Sequence, residues 1–261
     1  RKNRIMSLKV SIITSCYNRE ITIQSAIESV LSQDYPYIEY IIVDGASKDG
    51  SMSIINKYSD RIATVICEPD RGMYEAINKG IRVATGDIIG LLHSDDFFYA
   101  KDTISQIVAE YEKTNADLIY GNGLFVDFNN TSLVVRNWIS GAYTKSKVRR
   151  GWLPLHPTVY IRRECFGKWG LYDESFKIAA DSDFLVRYLY ETNIKVAYLN
   201  EYIVRMRMGG LSTDRKRMKQ KWREDLKLYR SHGFNPYWAL GLKIASKIPQ
   251  FIQAKFMNGR D

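Results

Sequence analysis

Four apolar runs of strand length, each closing on a polar turn, occupy the first hundred positions of this 261-residue chain. Leu8–Thr14 ends in Ser15-Cys16-Tyr17-Asn18, and Ile38–Val43 ends in Asp44-Gly45. Ile62–Cys67 runs into Glu68-Pro69-Asp70-Arg71-Gly72, and Ile88–Leu92 into His93-Ser94-Asp95-Asp96. Between the runs, Ile23, Ile27, Val30 and Leu31, then Ile54, Ile55 and Tyr58, then Ala76, Ile77, Ile81 and Ala84 keep helical spacing. Strand and helix alternating at this interval predict a parallel sheet with covering helices. The fold class expected is therefore α/β, with ligands at the carboxyl ends of the strands.

Asp44, Asp70 and the pair Asp95/Asp96 each follow a strand directly, which brings them to one edge of such a sheet. Adjacent carboxylates in a confined place repel unless a cation neutralises them. Mg²⁺ is typically held by one or two carboxylates together with substrate phosphates. The dipeptide alone allows two readings: a metal–diphosphate site, or Asp95 capping a helix at 101–113 with Asp96 solvated. Three strand ends carrying acids in the same phase favour the first. Asp49 sits in an Asp-Gly turn and is read as a turn former.

Beyond the helix at 101–113 the pattern changes. Asp117–Tyr120, Leu124–Phe128 and Leu133–Trp138 read as short antiparallel strands split by Gly121-Asn122-Gly123 and Asn129-Asn130-Thr131. Tyr143–Arg150 reads as a basic, mobile loop, Thr158–Arg162 as a strand and Arg163–Trp169 as a short helix. A further helix opens at Ala179-Ala180-Asp181-Ser182-Asp183, and Lys195–Leu199 and Ile203–Met206 read as separate strands. The organisation expected is a body over 1–212, with halves at about 8–113 and 114–212, and a tail over 213–261. The three cysteines are far apart, which suggests free thiols, and the three histidines are too scattered to propose zinc. No run approaches the roughly 20 apolar residues of a membrane span, and Leu8–Thr14 is too short and too alternating for a signal peptide.

The order of these segments resembles the family 2 glycosyltransferases, inverting enzymes of the GT-A fold that use nucleotide-diphosphate sugars. The resemblance runs from about Leu8 to Ser212. It implies a Rossmann-like, mostly parallel central sheet with helices on both faces and antiparallel additions in the second half. Through it, Thr14, Tyr17 and Asn18 line a nucleoside pocket, and Asp44 contacts the base. Asp70, Gly72, Asn78 and Gly80 match the family's Asp-x-Gly and Asn-x-Gly elements. Ser94-Asp95-Asp96 matches its Asp-x-Asp-like element, with Asp95 near the donor and Asp96 holding Mn²⁺ or Mg²⁺ on the diphosphate. Asp181 is implied as the catalytic base, with Asp183 the runner-up and a plain helix N-cap the structural alternative for Asp181. The chain departs from the family where Asp44-Gly45-Ala46-Ser47 replaces the commoner Asp-Asp-Gly-Ser, and where Ser94 replaces an Asp.

His156, between Pro154 and Pro157, is a candidate for acceptor or phosphate, or a satisfied structural histidine. Arg205 and Arg207 with the Gly209-Gly210 turn are a candidate lid over the diphosphate, or a solvated strand end. The function expected is sugar transfer, from a UDP-sugar for preference, to a glycan or polyprenyl-diphosphate-linked acceptor in surface polysaccharide synthesis. Its expected place is the cytoplasmic face of the plasma membrane. A sugar nucleotidyltransferase is the rival enzyme, although residues 14–22 lack the glycine-rich phosphate loop that class needs. A nucleic-acid-binding protein is the non-enzymatic rival, but strand-end carboxylates would repel phosphates.

The net charge of +9 is concentrated in the tail, where residues 213–261 hold twelve Lys/Arg against four Asp/Glu. Met218, Trp222, Leu226 and Tyr229 share one helical face among Arg215, Lys216, Lys219, Arg223, Lys227 and Arg230. That helix is expected to pack on the body. A second helix is expected from Pro236 to about Ile248, with Phe251, Ile252 and Phe256 extending the apolar content. Basic helices carrying Trp and Phe suit an anionic membrane surface, and a homodimer contact is the alternative.

Overall fold

The computed structural model describes residues 7–209 and 218–258; Arg215, Lys216 and the Gly210 half of the expected lid turn lie outside the described residues. A nine-stranded sheet forms the centre. Its first half is β1 (Val10–Cys16), α1 (Ile23–Leu31), β2 (Ile38–Asp44), α2 (Ser51–Asn56), β3 (Thr64–Cys67), α3 (Met73–Val83) and β4 (Ile88–Leu91). These four strands pair in parallel in the order β3-β2-β1-β4. The chain lays β2 and β3 on one side of β1 and β4 on the other. Such a reversal opens a crevice at the carboxyl ends of the strands, where α/β sheets bind ligands.

Both faces of the sheet are buried, which is why its strands read as near-continuous apolar runs. Val10, Ile12 and Cys16 pack with Ile23 and Ile27 of α1 on one side. Ile13, Ile41 and Val43 pack with Tyr74, Ile77 and Ile81 of α3 on the other. Gly80 permits this approach, since a Cβ there would stand 2.5 Å from Ile13.

The second half comprises β5 (Phe97–Phe98), α4 (Thr103–Thr114), β6 (Leu118–Val126), β7 (Val134–Trp138), α5 (Lys145–Arg149), a 3₁₀ turn at His156–Thr158, β8 (Tyr160–Arg162), α6 (Arg163–Trp169), α7 (Ala180–Val186) and β9 (Val196–Arg207). A π turn, Arg187–Glu191, continues α7. β8 inserts antiparallel between β4 and β6. The expected hairpin at 129–131 is present as β6–β7, but Gly121-Asn122-Gly123 is not a turn. Those glycines lie within β6 because neighbours crowd them: a Cβ on Gly121 would sit 2.6 Å from Ile203, and one on Gly123 2.4 Å from Leu155. The two strands expected over 195–206 are likewise one, because parallel pairing with β6 holds residues 196–207 extended. The expected basic loop carries α5, capped where Thr144 accepts from the Lys147 N–H.

The tail folds as α8 (Met218–Ser231), α9 (Pro236–Ala245) and α10 (Ile248–Asn258). The apolar stretch after Pro236 is therefore two helices, and Pro249 falls in the first turn of α10, where no intrahelical N–H is required. α8 buries Asp225, Leu228 and Tyr229, and its Glu224 accepts the backbone N–H groups of Ile178 and Ala179 at 2.8 and 3.0 Å. α10 lies along β7, where Asn258 bonds both the N–H and the carbonyl of Val134. A strand edge that would otherwise invite pairing is thereby covered.

At the amino ends of the strands, Glu39 is buried and accepts from Lys9 (2.7 Å), Ser11 (2.6 Å) and the Thr85 N–H (2.7 Å). Burial pushes its carboxyl up, but these bonds win and hold it at about 2, against an ordinary value of 4.5. A depressed folded pKa gives stability that is complete above the unfolded value and lost as pH falls through the folded one. The contribution is on the order of 2 kcal/mol, discounted for the part-exposed Lys9. The stability gap between wild type and Glu39→Gln, measured by denaturant unfolding, should narrow from about pH 5 to about pH 2. A gap that stays constant with pH would assign the loss to packing alone.

Candidate active site

The ends of β1, β2 and β3 meet tightly. A Cβ on Gly45 would stand 2.5 Å from an Asp70 carboxylate oxygen and 3.3 Å from the Tyr17 ring. Tyr17 is exposed there. Asp44 is fully buried and accepts from both the N–H (2.8 Å) and the hydroxyl (2.6 Å) of Ser47. Asn18, with φ 51°, accepts from the Lys48 N–H at 2.8 Å, which ties the first turn to the second. Asp70 accepts the Gly72 N–H at 2.9 Å, and Gly72 has φ 141°, a conformation that favours glycine. Burial raises the Asp70 carboxyl above its usual range.

Two expected donor contacts are corrected. The Thr14 side chain points into the core, its hydroxyl 3.2 Å from that of Tyr40, which leaves only its backbone at the strand end. Asn78 is buried with its amide divided between the Tyr172 backbone (2.9 and 3.1 Å) and Glu174 (3.0 Å). The Asn-x-Gly element thus fastens α3 to the 172–174 segment and to the sheet, and offers nothing to a ligand.

Asp95 and Asp96 leave β4 and lie against β9. One Asp96 oxygen accepts the Arg207 N–H at 3.0 Å, and the Arg207 guanidinium donates to the Asp95 carbonyl at 2.7 Å. The other Asp96 oxygen, Oδ2, is buried with no hydrogen-bond partner. Burial first, and Asp95 second, drive the Asp96 carboxyl well above its ordinary value. A buried carboxylate oxygen without a donor suits a hard cation. Asp95 does not cap the next helix, whose cap position is Asp102. Arg207 stacks on Phe97 (4.9 Å) and Arg205 on Tyr99 (4.9 Å), so both belong to the sheet and not to a swinging loop.

Asp181 lies in the first turn of α7, whose cap is Ala179, so it is not the N-cap. It is part-exposed and accepts the Ser182 N–H at 2.7 Å. The segment ahead of it is held from α3, where the Tyr74 hydroxyl donates to the Ile178 carbonyl at 2.8 Å. Asp183 points elsewhere, toward His232 (3.1 Å) and Arg187 (3.7 Å).

His156 is buried, bonded through Nε2 to the Tyr172 hydroxyl at 2.8 Å, and stacked on His93 with ring centroids 6.4 Å apart. Burial lowers His156 to about 4 and also lowers His93, while the Asp181 charge opposes both shifts. Both imidazoles are thus within reach of the Asp181 charge, and His93 of the Asp95 charge as well. His93 was not among the expected site residues; its place directly before Ser94-Asp95-Asp96 was the available signal.

The description "glycosyl transferase family 2" fits residues 11–178 by its family model. A PGL/p-HBAD biosynthesis glycosyltransferase of Mycobacterium bovis is 28% identical over 207 residues, 77% of this chain and 78% of its own length. An uncharacterized glycosyltransferase of Mycobacterium tuberculosis is 32% identical over 182 residues, 68% of each chain. Among solved structures, S. aureus TarS 1-349 in complex with UDP-GlcNAc superposes with a TM-score of 0.63 at 19% identity, over 78% of this chain and 59% of that one. This chain spans 39% of the longer S. aureus TarS chain. A mannosyltransferase, PcManGT from Pyrobaculum calidifontis in complex with GDP-Man and Mn2+, gives 0.66 at 17% identity, over 96% and 74%. These superpositions show the GT-A fold. With a family match over more than half of its length and a relative above 30% identity across two thirds of it, the chain belongs to glycosyl transferase family 2.

Proposed function

We propose that the protein transfers a sugar, with inversion, from a nucleoside-diphosphate donor to a hydroxyl of a glycan or polyprenyl-diphosphate-linked acceptor during surface polysaccharide synthesis. The observation that carries this reading is the unpartnered, buried Asp96 oxygen at the carboxyl end of β4, beside Asp95. UDP-GlcNAc and GDP-Man bound to structural neighbours support the donor class. Tyr17, Asp44 and Asp70 frame the nucleoside end. Asp96, with Asp95 beside it, would hold Mn²⁺ or Mg²⁺, which when bound neutralises charge gathering on the departing diphosphate.

Asp181 takes the proton of the acceptor hydroxyl. The freed oxygen attacks the anomeric carbon from the face opposite the diphosphate, whose bond to that carbon breaks and whose oxygen keeps the electron pair. A positioned base of this kind contributes about 10²–10⁴-fold. Burial keeps His93 and His156 neutral, so they leave the negative charge of Asp181 intact.

Asp96→Ala should abolish transfer and also the rise in Tm that Mn²⁺ with nucleoside diphosphate gives wild type. Without metal it should still unfold cooperatively, with a Tm change no larger than a few degrees, because loss of the Arg207 N–H bond is offset by removal of a buried unpaired oxygen. Metal-dependent stabilisation equal to wild type would move the ion elsewhere. Asp181→Asn should lower kcat by about 10²-fold or more with donor affinity unchanged. If donor affinity fell and kcat held, Asp181 would be a donor ligand.

The tail supports a station at an anionic membrane. Ile248, Phe251, Ile252 and Phe256 fall on one face of α10 and are exposed, as are Tyr237, Trp238 and Ile244 of α9; Phe256 reaches 71%. Lys255 of α10 is exposed among them. Such helices are held by apolar burial and drawn by anionic lipid. Truncation after Ser231 would strip contacts from β7 and α7, so point changes are the sound test. The full chain should float with anionic vesicles, less at high salt, and Trp238→Ser with Ile248→Ser and Phe256→Ser should not. Equal flotation would move the anchor into the body, and no flotation of wild type would favour a homodimer contact.

A further inference from the structure

His232, just past the end of α8, reaches across to α7 and to the π turn that continues it. Its Nε2 lies 3.1 Å from Asp183 Oδ1 and its Nδ1 2.5 Å from Glu191 Oε1, with the imidazole 9% and the Asp183 side chain 11% exposed. Glu191 stands eight positions after Asp183, so an uninterrupted α-helix would turn it about 80° away. The π turn at Arg187–Glu191 takes up more residues per turn, which returns Glu191 to the face of Asp183. His232 is also held from its own side. Its N–H donates to the Leu228 carbonyl at 3.2 Å, and the Phe234 ring lies 6.4 Å away between centroids.

A neutral imidazole carries one N–H, so between two carboxylates one of its nitrogens would set a lone pair against an oxygen. Only the imidazolium donates to both, and charge-assisted bonds of this kind are the strong ones. Among the described residues, the charged groups that meet the ring are Asp183 from α7 and Glu191 from the π turn. Arg187, also of the π turn, stands 3.7 Å from the other Asp183 oxygen and donates to the Trp169 and Leu171 carbonyls. Arg230, two residues before His232 on α8, is exposed. The bond to Asp183 raises the His232 pKa above its ordinary 6.5; burial opposes this, and the bond to Glu191 adds to it. With a raised folded value, the contact is complete below 6.5 and is lost as pH rises through the folded value. Glu191, whose side chain is 45% exposed, is the partner that can turn to solvent.

We propose that His232 is a positioning residue for the transfer: its imidazolium latches the α8–α9 joint to α7, and the setting of Asp181, two residues before Asp183, depends on a proton held in the tail. This rests on the transferase reading and adds to it a regulation of the same site by pH. The other tail contacts of α7 stay in place when the latch opens. Glu224 binds the backbone N–H groups ahead of the helix, and Lys243 binds the Ser182 hydroxyl. Raising the pH therefore leaves α7 docked and loosens one end of it, so turnover falls while donor binding at the strand ends does not.

Nitrogen NMR of the full chain carrying labelled histidine reads the latch directly. One ring of the three should hold two protons, titrate above 6.5 and vanish in His232→Gln. Glu191→Gln should move that titration down by about half a pH unit or more, because one carboxylate is gone. In the transfer assay, kcat of wild type should fall about threefold or more as pH rises through the same value, with the donor KM flat. That fall should move down in step in Glu191→Gln. His232→Gln should show at every pH the lower kcat that wild type reaches at high pH. A His232 ring that titrates at or below 6.5 overturns the latch. A kcat that is flat across the titration, or whose fall stays put in Glu191→Gln, overturns the positioning role. Absence of transfer at every pH would instead overturn the transferase reading, since the ring titration needs neither donor nor acceptor and reads the latch by itself.

Discussion

The hydrogen bond from the Arg207 N–H to Asp96 joins the two halves of this protein at the point where its chemistry is proposed. Asp96 leaves β4, in the parallel half, and Arg207 ends β9, which pairs with β6 and β5 in the mixed half. One oxygen of the carboxylate is thereby fixed. The other is buried and has no donor, so the folded chain alone leaves a polar group unsatisfied. A side chain held by one oxygen and unsatisfied at the other is rigidly placed and predisposed to a cation. The same β9 backbone that closes the sheet sets its direction.

The tail is part of the catalytic body's architecture. Glu224 fixes the two N–H groups ahead of α7, Lys243 links Asp225 to Ser182, and His232 reaches Asp183. Every one of these contacts ends on α7 or its entry. The helix that presents Asp181 is therefore oriented by residues drawn from the last fifty positions. Association of α9 and α10 with a surface would act on a helix pair already coupled to α7.

The parallel half of the fold was legible because its information is local: apolar runs, helical spacing and acids at strand ends lie within single segments. What stayed hidden was set by distant neighbours. Gly121-Asn122-Gly123 has the composition of a turn, and only Ile203 and Leu155 crowding the backbone show why glycine is needed inside a strand. The pairing of β6 with β9 joins segments about eighty residues apart and left no signature in either. Asn78 followed the family pattern in sequence, yet its partners at 172–174 give it a purely structural task. His93 was passed over because the histidines were weighed by spacing, whereas its stacking partner His156 is brought close by folding.

Asp181 and Asp183 lie two residues apart on one helix, so they cannot face the same way. Their surroundings assign them different work. Asp183 is buried against His232 and Arg187, and the bond it accepts raises the His232 pKa, so that site favours a charged pair held for structure. A carboxylate committed to two cations is a poor proton acceptor, because protonation would leave both unpaired. Asp181 is part-exposed and accepts the adjacent Ser182 N–H, and its charge acts on imidazoles that burial keeps neutral. Lys243, which reaches α7 from the tail, is turned toward Asp225 and Ser182 instead.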